Sequence, residues 1–347
     1  MELFFCIRRL SVYLIVGMAM ICGYPLYAEK QIPENTFPPN SLPVKVETTF
    51  YLWNLSDIDE KDGTFSAEVY VVARWQDDRL AFNTSDKPLI YTEEAARDKL
   101  REIWWPELDF VNASDLTTRN KTVFIYPDGT VEYSIKILAT FFNTMDLRRF
   151  PFDKQNYEIH LQSFLWNVQV VEFVIKKIES EDLANANIKS LRPISLSAEV
   201  KNVKFQSEIY SDLGVTIHFV RNPNFFNYQI LIPLLVVLFI TCLMAFVQID
   251  ALSDRLLLAQ GSILVLVAMK FMMNQELPTI DYLTFVDYIF FIAYFCCFLM
   301  VILSCFIFYF RERHKELASS INKHATWIPL AFFFVMYFAL FFLFIKN

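Results

Sequence analysis

Few side chains in this sequence are placed for catalysis. Its four histidines include no H-E-x-x-H pattern, and its six glycines build no G-x-G-x-x-G, G-x-x-x-x-G-K or G-x-S-x-G. Metalloprotease, dinucleotide, P-loop and nucleophile-elbow chemistry therefore have no residues to stand on. His160 and His218 fall in β-rich runs with no evident nucleophile beside them. No enzyme, no cofactor and no metal site is expected. What the sequence does place is charge at the margins of apolar runs. Asp254 opens a stripe at three-four spacing that continues through Leu257, Gly261, Leu264, Ala268, Phe271 and Gln275. On a helix these share one face, which starts with a carboxylate, stays apolar and ends in an amide. By itself the stripe fits a packing face between helices as well as the wall of a conduit. Arg221 stands just before Pro223 and a charge-free run from Tyr228. Its guanidinium stays charged at any accessible pH, and near lipid it calls for carboxylates.

The elements that must position these residues follow from composition. Over 347 residues, 55% are hydrophobic, 20% are charged, and Phe occurs 36 times. That excludes a disordered chain. The net charge of −7 argues against nucleic acid as a partner. Four apolar runs, about 226–247, 254–276, 285–310 and 325–345, each approach the ~20 residues a helix needs to span a bilayer. Arg311, Arg313, Lys315 and Lys323 lie between the last two runs, whereas Glu276, Asp281 and Asp287 mark the preceding turn without Lys or Arg. The positive-inside rule puts the 311–324 loop in the cytoplasm.

Residues 1–28 read as a secretory signal, with Arg8 and Arg9, an apolar stretch and a small-residue site ending at Ala28. That exports 29–222, and both readings of orientation agree. The expected placement is a membrane, with 29–222 outside and 223–347 as the membrane domain. Cys242, Cys296, Cys297 and Cys305 all lie in apolar runs, and 29–241 holds no cysteine. The exported domain must therefore fold without a disulfide. It reads as short strands at 48–55, 65–75, 122–126, 130–142, 157–164, 198–210 and 215–221, with one helix from Glu93 to Arg101. Asp62-Gly63 and Asp128-Gly129 signal hairpins, and Asp212-Leu213-Gly214 reads as the link between the last two strands. The expected fold is an antiparallel β-sandwich followed by a four-helix transmembrane bundle.

Within that order, Met145-Asp146-Leu147-Arg148-Arg149-Phe150-Pro151-Phe152-Asp153-Lys154-Gln155 resembles the signature loop of pentameric ligand-gated ion channels, the Cys-loop receptor superfamily. Asn143 and Tyr157 stand where animal members carry the loop cysteines, a departure that resembles the bacterial branch. Trp75 to Leu80, Trp104-Trp105-Pro106-Glu107 with Asn112, Arg221-Asn222-Pro223, and Leu277-Pro278 with Tyr282 match further family segments in order. The resemblance covers about 45–345.

The resemblance implies a homopentamer in membrane lipid, with the stripe from Asp254 to Gln275 lining the pore. Asp254 then forms a ring favouring permeant cations, and Leu264 is the first gate candidate, with Leu257 a second constriction. Lys270 lies beside the stripe and near the outer end. Phe164, Tyr210, Phe110 and Val111 are implied on one side of an agonist site, with Tyr70 facing from the next subunit; Trp75 and Trp105 are assigned to the core. Arg221 is implied to pair with Asp153 and with Glu60 or Asp59. Phe150, Pro151 and Phe152 are implied to rest on the turn at Pro278. The agonist, an unknown small molecule or protons, is not legible. The competing reading is a membrane-anchored periplasmic sensor that conducts nothing.

Overall fold

The computed structural model describes residues 36–39, 41–83, 86–180, 191–325 and 327–345. The expected signal at 1–28 lies outside these residues. Among the described residues, ten strands form two facing sheets. They are β1 (Val44–Asp59), β2 (Thr64–Gln76), β3 (Leu89–Thr92), β4 (Leu108–Phe110), β5 (Ala113–Ile125), β6 (Thr130–Phe142), β7 (Lys154–Ser163), β8 (Val171–Ser180), β9 (Leu191–Phe205) and β10 (Glu208–Arg221). Helix α1 (Glu93–Leu100) follows β3. One sheet runs β3-β5-β6-β2-β1-β8 and the other β4-β7-β10-β9. Pairing is antiparallel except between β1 and β8.

Period-two patterning makes these strands. In β2, Phe65, Ala67, Val69, Val71, Ala73 and Trp75 face inward while Ser66, Glu68, Tyr70, Val72 and Arg74 face out. The inward row of β10 is Leu213, Val215, Ile217 and Phe219, and it ends at Arg221. Register therefore delivers a guanidinium to the floor of an apolar core. Gly63 (φ 64°) and Gly129 (φ 84°) turn the hairpins. A Cβ on Gly129 would stand 2.7 Å from the Asp77 carbonyl oxygen.

Three expectations fail here. The expected break at 212–214 is interior to β10, and the turn lies at Gln206-Ser207. A Cβ on Gly214 would make only ordinary contact with the His160 ring, at 3.6 Å. Trp104, not Trp105, fills the core; Trp105 is half-buried against Tyr133. Strands β3, β4 and β8 were not foreseen, since β3 and β4 are too short for a pattern and β8 alternates with charge.

The apolar runs form α2 (Asn227–Phe246), α3 (Leu252–Glu276), α4 (Phe285–Phe310) and α6 (Ile328–Ile345). Helices α2, α3 and α4 are each long and apolar enough to cross a membrane. The 311–324 segment is not a plain loop: Lys315–Ala325 forms helix α5, bent 41° from α6. The capping box of Thr284 and Asp287 fixes the start of α4.

Candidate functional site

Arg221 is buried at the base of the sandwich, 5% exposed. Its Nε and Nη2 donate to the Asp153 carboxylate at 2.7 and 3.1 Å, and its Nη1 and Nη2 donate to Glu60 at 2.8 and 2.6 Å. Gln155 Nε2 donates to Asp153 Oδ2 at 2.6 Å. Burial works against the arginine's charge, but the Glu60 and Asp153 hydrogen bonds outweigh it and hold the proton more firmly than usual. Both carboxylates engage one guanidinium bidentately, and removing either leaves the rest partly buried and uncompensated. Asp59, the alternative partner, accepts instead from the backbone of Lys61 and Asp62, capping the hairpin turn.

The loop that carries Asp153 is locked onto the helices. Phe150 stands edge-on to Phe226, and its ring lies 4.8 Å beneath the Arg221 guanidinium. Phe152 meets Phe285 and Phe341 at 5.6 and 5.4 Å. Leu147 N–H donates to the Tyr282 hydroxyl at 3.0 Å, and Phe285 N–H donates to the Arg148 carbonyl at 3.0 Å. The anchors are thus Tyr282 and Phe285, downstream of the expected contact at Pro278, because the start of α4 rises to meet the loop. The Phe150–Pro151 bond is cis.

Below this junction, α3 presents an open face. Leu257, Leu264 and Phe271 are 72%, 69% and 64% exposed, while Leu266 on the same helix is fully buried. Asp254, Gly261, Ala268 and Gln275 are exposed along the same line, and a Cβ on Gly261 would meet nothing within 4 Å. Asp254 has no ion pair among the described residues. The helix is N-capped at Ala251 without a side-chain bond. Arg255 does not reach outward: it is buried and donates to the Val247 carbonyl at 2.5 Å. Lys270 pairs with Asp287 of α4, which turns it away from the stripe.

The aromatic candidates separate. Phe164 is 68% exposed and Val111 49%. The loop after Phe164 docks on the β9–β10 hairpin near Tyr210, with Val168 N–H donating to the Ile209 carbonyl at 2.7 Å. Tyr70 lies on the outer face of the larger sheet, 5.7 Å from Tyr51, in a groove shared with Trp53, Arg74, Glu132 and Lys176. Phe110 is a correction: it is buried in the core against Phe141, as the inward member of its strand, and lines no surface.

Sequence reasoning missed two features. Asn112 stitches β6 and β7 together, donating to the carbonyls of Phe142 and Glu158 and accepting from His160 N–H. His160 lies between Asp212 at 2.9 Å and Glu158 at 3.1 Å. The Asp212 bond raises its pKa against partial burial, and Glu158 adds to the rise. The only signal for this trio was the i, i+2 pair Glu158 and His160 on one strand face.

A family model described as the neurotransmitter-gated ion-channel ligand binding domain matches residues 25–223. Gamma-aminobutyric acid receptor subunit beta-4 of Gallus gallus is 26% identical over 281 residues, covering 77% of this chain and 53% of that relative. The chain spans about half the length of that curated relative.

Proposed function

Because the chain belongs to the neurotransmitter-gated ion-channel ligand-binding-domain family, whose members are channels rather than enzymes, we propose that it forms a homopentameric ligand-gated ion channel that prefers cations. The observation that carries this reading is the open face of α3. A helix that buries Leu266 completely while exposing Leu257, Leu264 and Phe271 is built to face something other than its own chain. Five copies would place Asp254 as a ring at the cytoplasmic mouth, where carboxylates attract cations. Leu264 would form the mid-pore constriction and close it by dewetting. Lys270, neutralised by Asp287, would add nothing to the pore field.

Opening would start in the outer domain. Phe164, Val111 and Tyr210 would form one wall of an agonist site and Tyr70 of the neighbouring subunit the other, receiving a small ligand. Protons are the other agonist class. Movement would pass through Arg221, Asp153 and Glu60 into Phe150 and Phe152, and from there to α4 and α3. The domain from 29 would lie outside the plasma (inner) membrane, in the periplasm, after a signal at 1–28.

Purified protein in planar bilayers, screened with small amines and a pH series, tests this. Agonist-dependent currents with a cation-selective reversal potential are expected. Currents that select anions would overturn the ion preference. Folded pentamers silent under every agonist would leave the non-conducting sensor.

A further inference from the structure

We propose that the cavity beside helix α1 is a second ligand site, within one subunit, for a small aromatic amine that also carries a hydrogen-bond acceptor. The cavity measures about 390 Å³. Its apolar walls are Trp104, Trp105, Trp166 and Tyr133. Trp104 and Trp166 lie 6.2 Å apart between centroids and Trp105 and Tyr133 5.6 Å, so rings of differing tilt surround the space.

Charge decides what enters. Among the described residues, Glu107 is the only acid lining the cavity. Burial raises its carboxyl pKa and no cation lowers it. An ammonium group beside it relieves that cost, and aromatic faces favour the same charge. Arg97 and Arg101 also reach the rim, yet both are more than half exposed and pair with Glu94 and Asp98 on their own helix. They compete weakly with Glu107. The opposite requirement comes from Lys121 on β5, which lines the cavity with a hydrogen-bond donor. A ring bearing an ammonium at one end and an oxygen at the other satisfies both.

The site is also mechanically placed. Glu107 holds a left-handed backbone, φ 48°, which is uncommon outside glycine. Its carbonyl accepts from Phe164 N–H at 2.8 Å, and Trp166 Nε1 donates to the Trp105 carbonyl at 3.3 Å. Occupancy would therefore bear on the loop of Phe164. That consequence rests on the agonist-site reading, whereas binding itself requires no channel activity.

Calorimetric titration of the detergent-solubilised full chain with tyramine tests it, against 4-ethylphenol, which lacks the ammonium, and phenethylamine, which lacks the oxygen. Tyramine should bind in wild type and in Phe164→Ala alike, and about tenfold more weakly in Glu107→Gln. Both comparators should bind more weakly than tyramine. Absence of tyramine binding overturns the site. Loss of binding in Phe164→Ala assigns the heat to the other aromatic cluster and overturns it too. Should Glu107→Gln fail to fold, the wild-type comparison decides: equal binding of tyramine and 4-ethylphenol refutes a role for the carboxylate.

Discussion

The outer and inner halves of this chain solve burial differently. In the sandwich, alternate residues of β2, β6, β7 and β10 close on one another, and the charge at its floor, Arg221, is partnered by two carboxylates. In the helical half, α3 buries Leu266 and exposes Leu264 two residues away. Its hydrophobic work is unfinished within one chain. The sandwich closes a core on itself, whereas α3 leaves an apolar face uncovered within one chain.

The harshest break of this contrast falls on the junction. Arg221→Ala leaves Asp153 and Glu60 facing each other in a buried site, at a cost of ~3–5 kcal/mol for a fully buried pair. Loss of agonist-evoked current is expected, and size-exclusion chromatography separates failed assembly from failed coupling. Asp153→Ala should behave alike, and exchanging the two charges should restore part of the current. Normal currents from Asp153→Ala would show the junction to be mere solvated surface.

Next in size are the open-face changes, which should spare the fold because their side chains are mostly exposed within their own chain. Asp254→Ala should shift the reversal potential in a salt gradient toward zero, with an unchanged melting profile. Leu264→Thr should wet the constriction, raising agonist sensitivity or leak. Leak from Leu257→Thr with unaltered gating in Leu264→Thr would move the barrier to the inner end.

The smallest effect sharpens the other side of the comparison. Asp212 and Glu158 raise the pKa of His160 in the fold. The protonated ring therefore stabilises the sandwich fully below the unfolded value near 6.5, and that share is lost as pH rises through the folded value. Melting curves across neutral pH should show His160→Gln losing on the order of 1 kcal/mol on the acid side. Little difference is expected on the alkaline side. A constant difference at every pH would mean packing, not charge.

Much of this was legible in the sequence, for reasons that differ by region. β2 could be read because its inward positions from Phe65 to Trp75 are all apolar while Ser66, Glu68 and Arg74 between them are polar or charged, and the α3 stripe because helical spacing fixes a face whatever surrounds it. Arg221 was legible from its place at the membrane margin, but its choice of Glu60 over Asp59 was not, since that depends on how the hairpin turn spends its acids. Phe110 was misjudged because strand parity, set by partners far along the chain, decides which way a ring faces. Gly214 misled because a glycine between apolar runs need not mark a turn: here it pairs with Glu199 inside an unbroken β10. The cavity at Glu107 gave no signal, because α1, β5, β6 and Trp166 meet there only after folding.

The parallel pairing of β1 with β8 sets an order on biogenesis. Val44 lies beside Val171, so β1 finds its outer neighbour only when β8 has followed β2 to β7 out of the ribosome. Until then one edge of β1 offers unpaired backbone groups next to an apolar face, the arrangement most open to association with foreign strands. With no cysteine between residues 29 and 241, no covalent staple can hold an early intermediate. Export of this domain should therefore depend on holding chaperones more than on oxidative machinery.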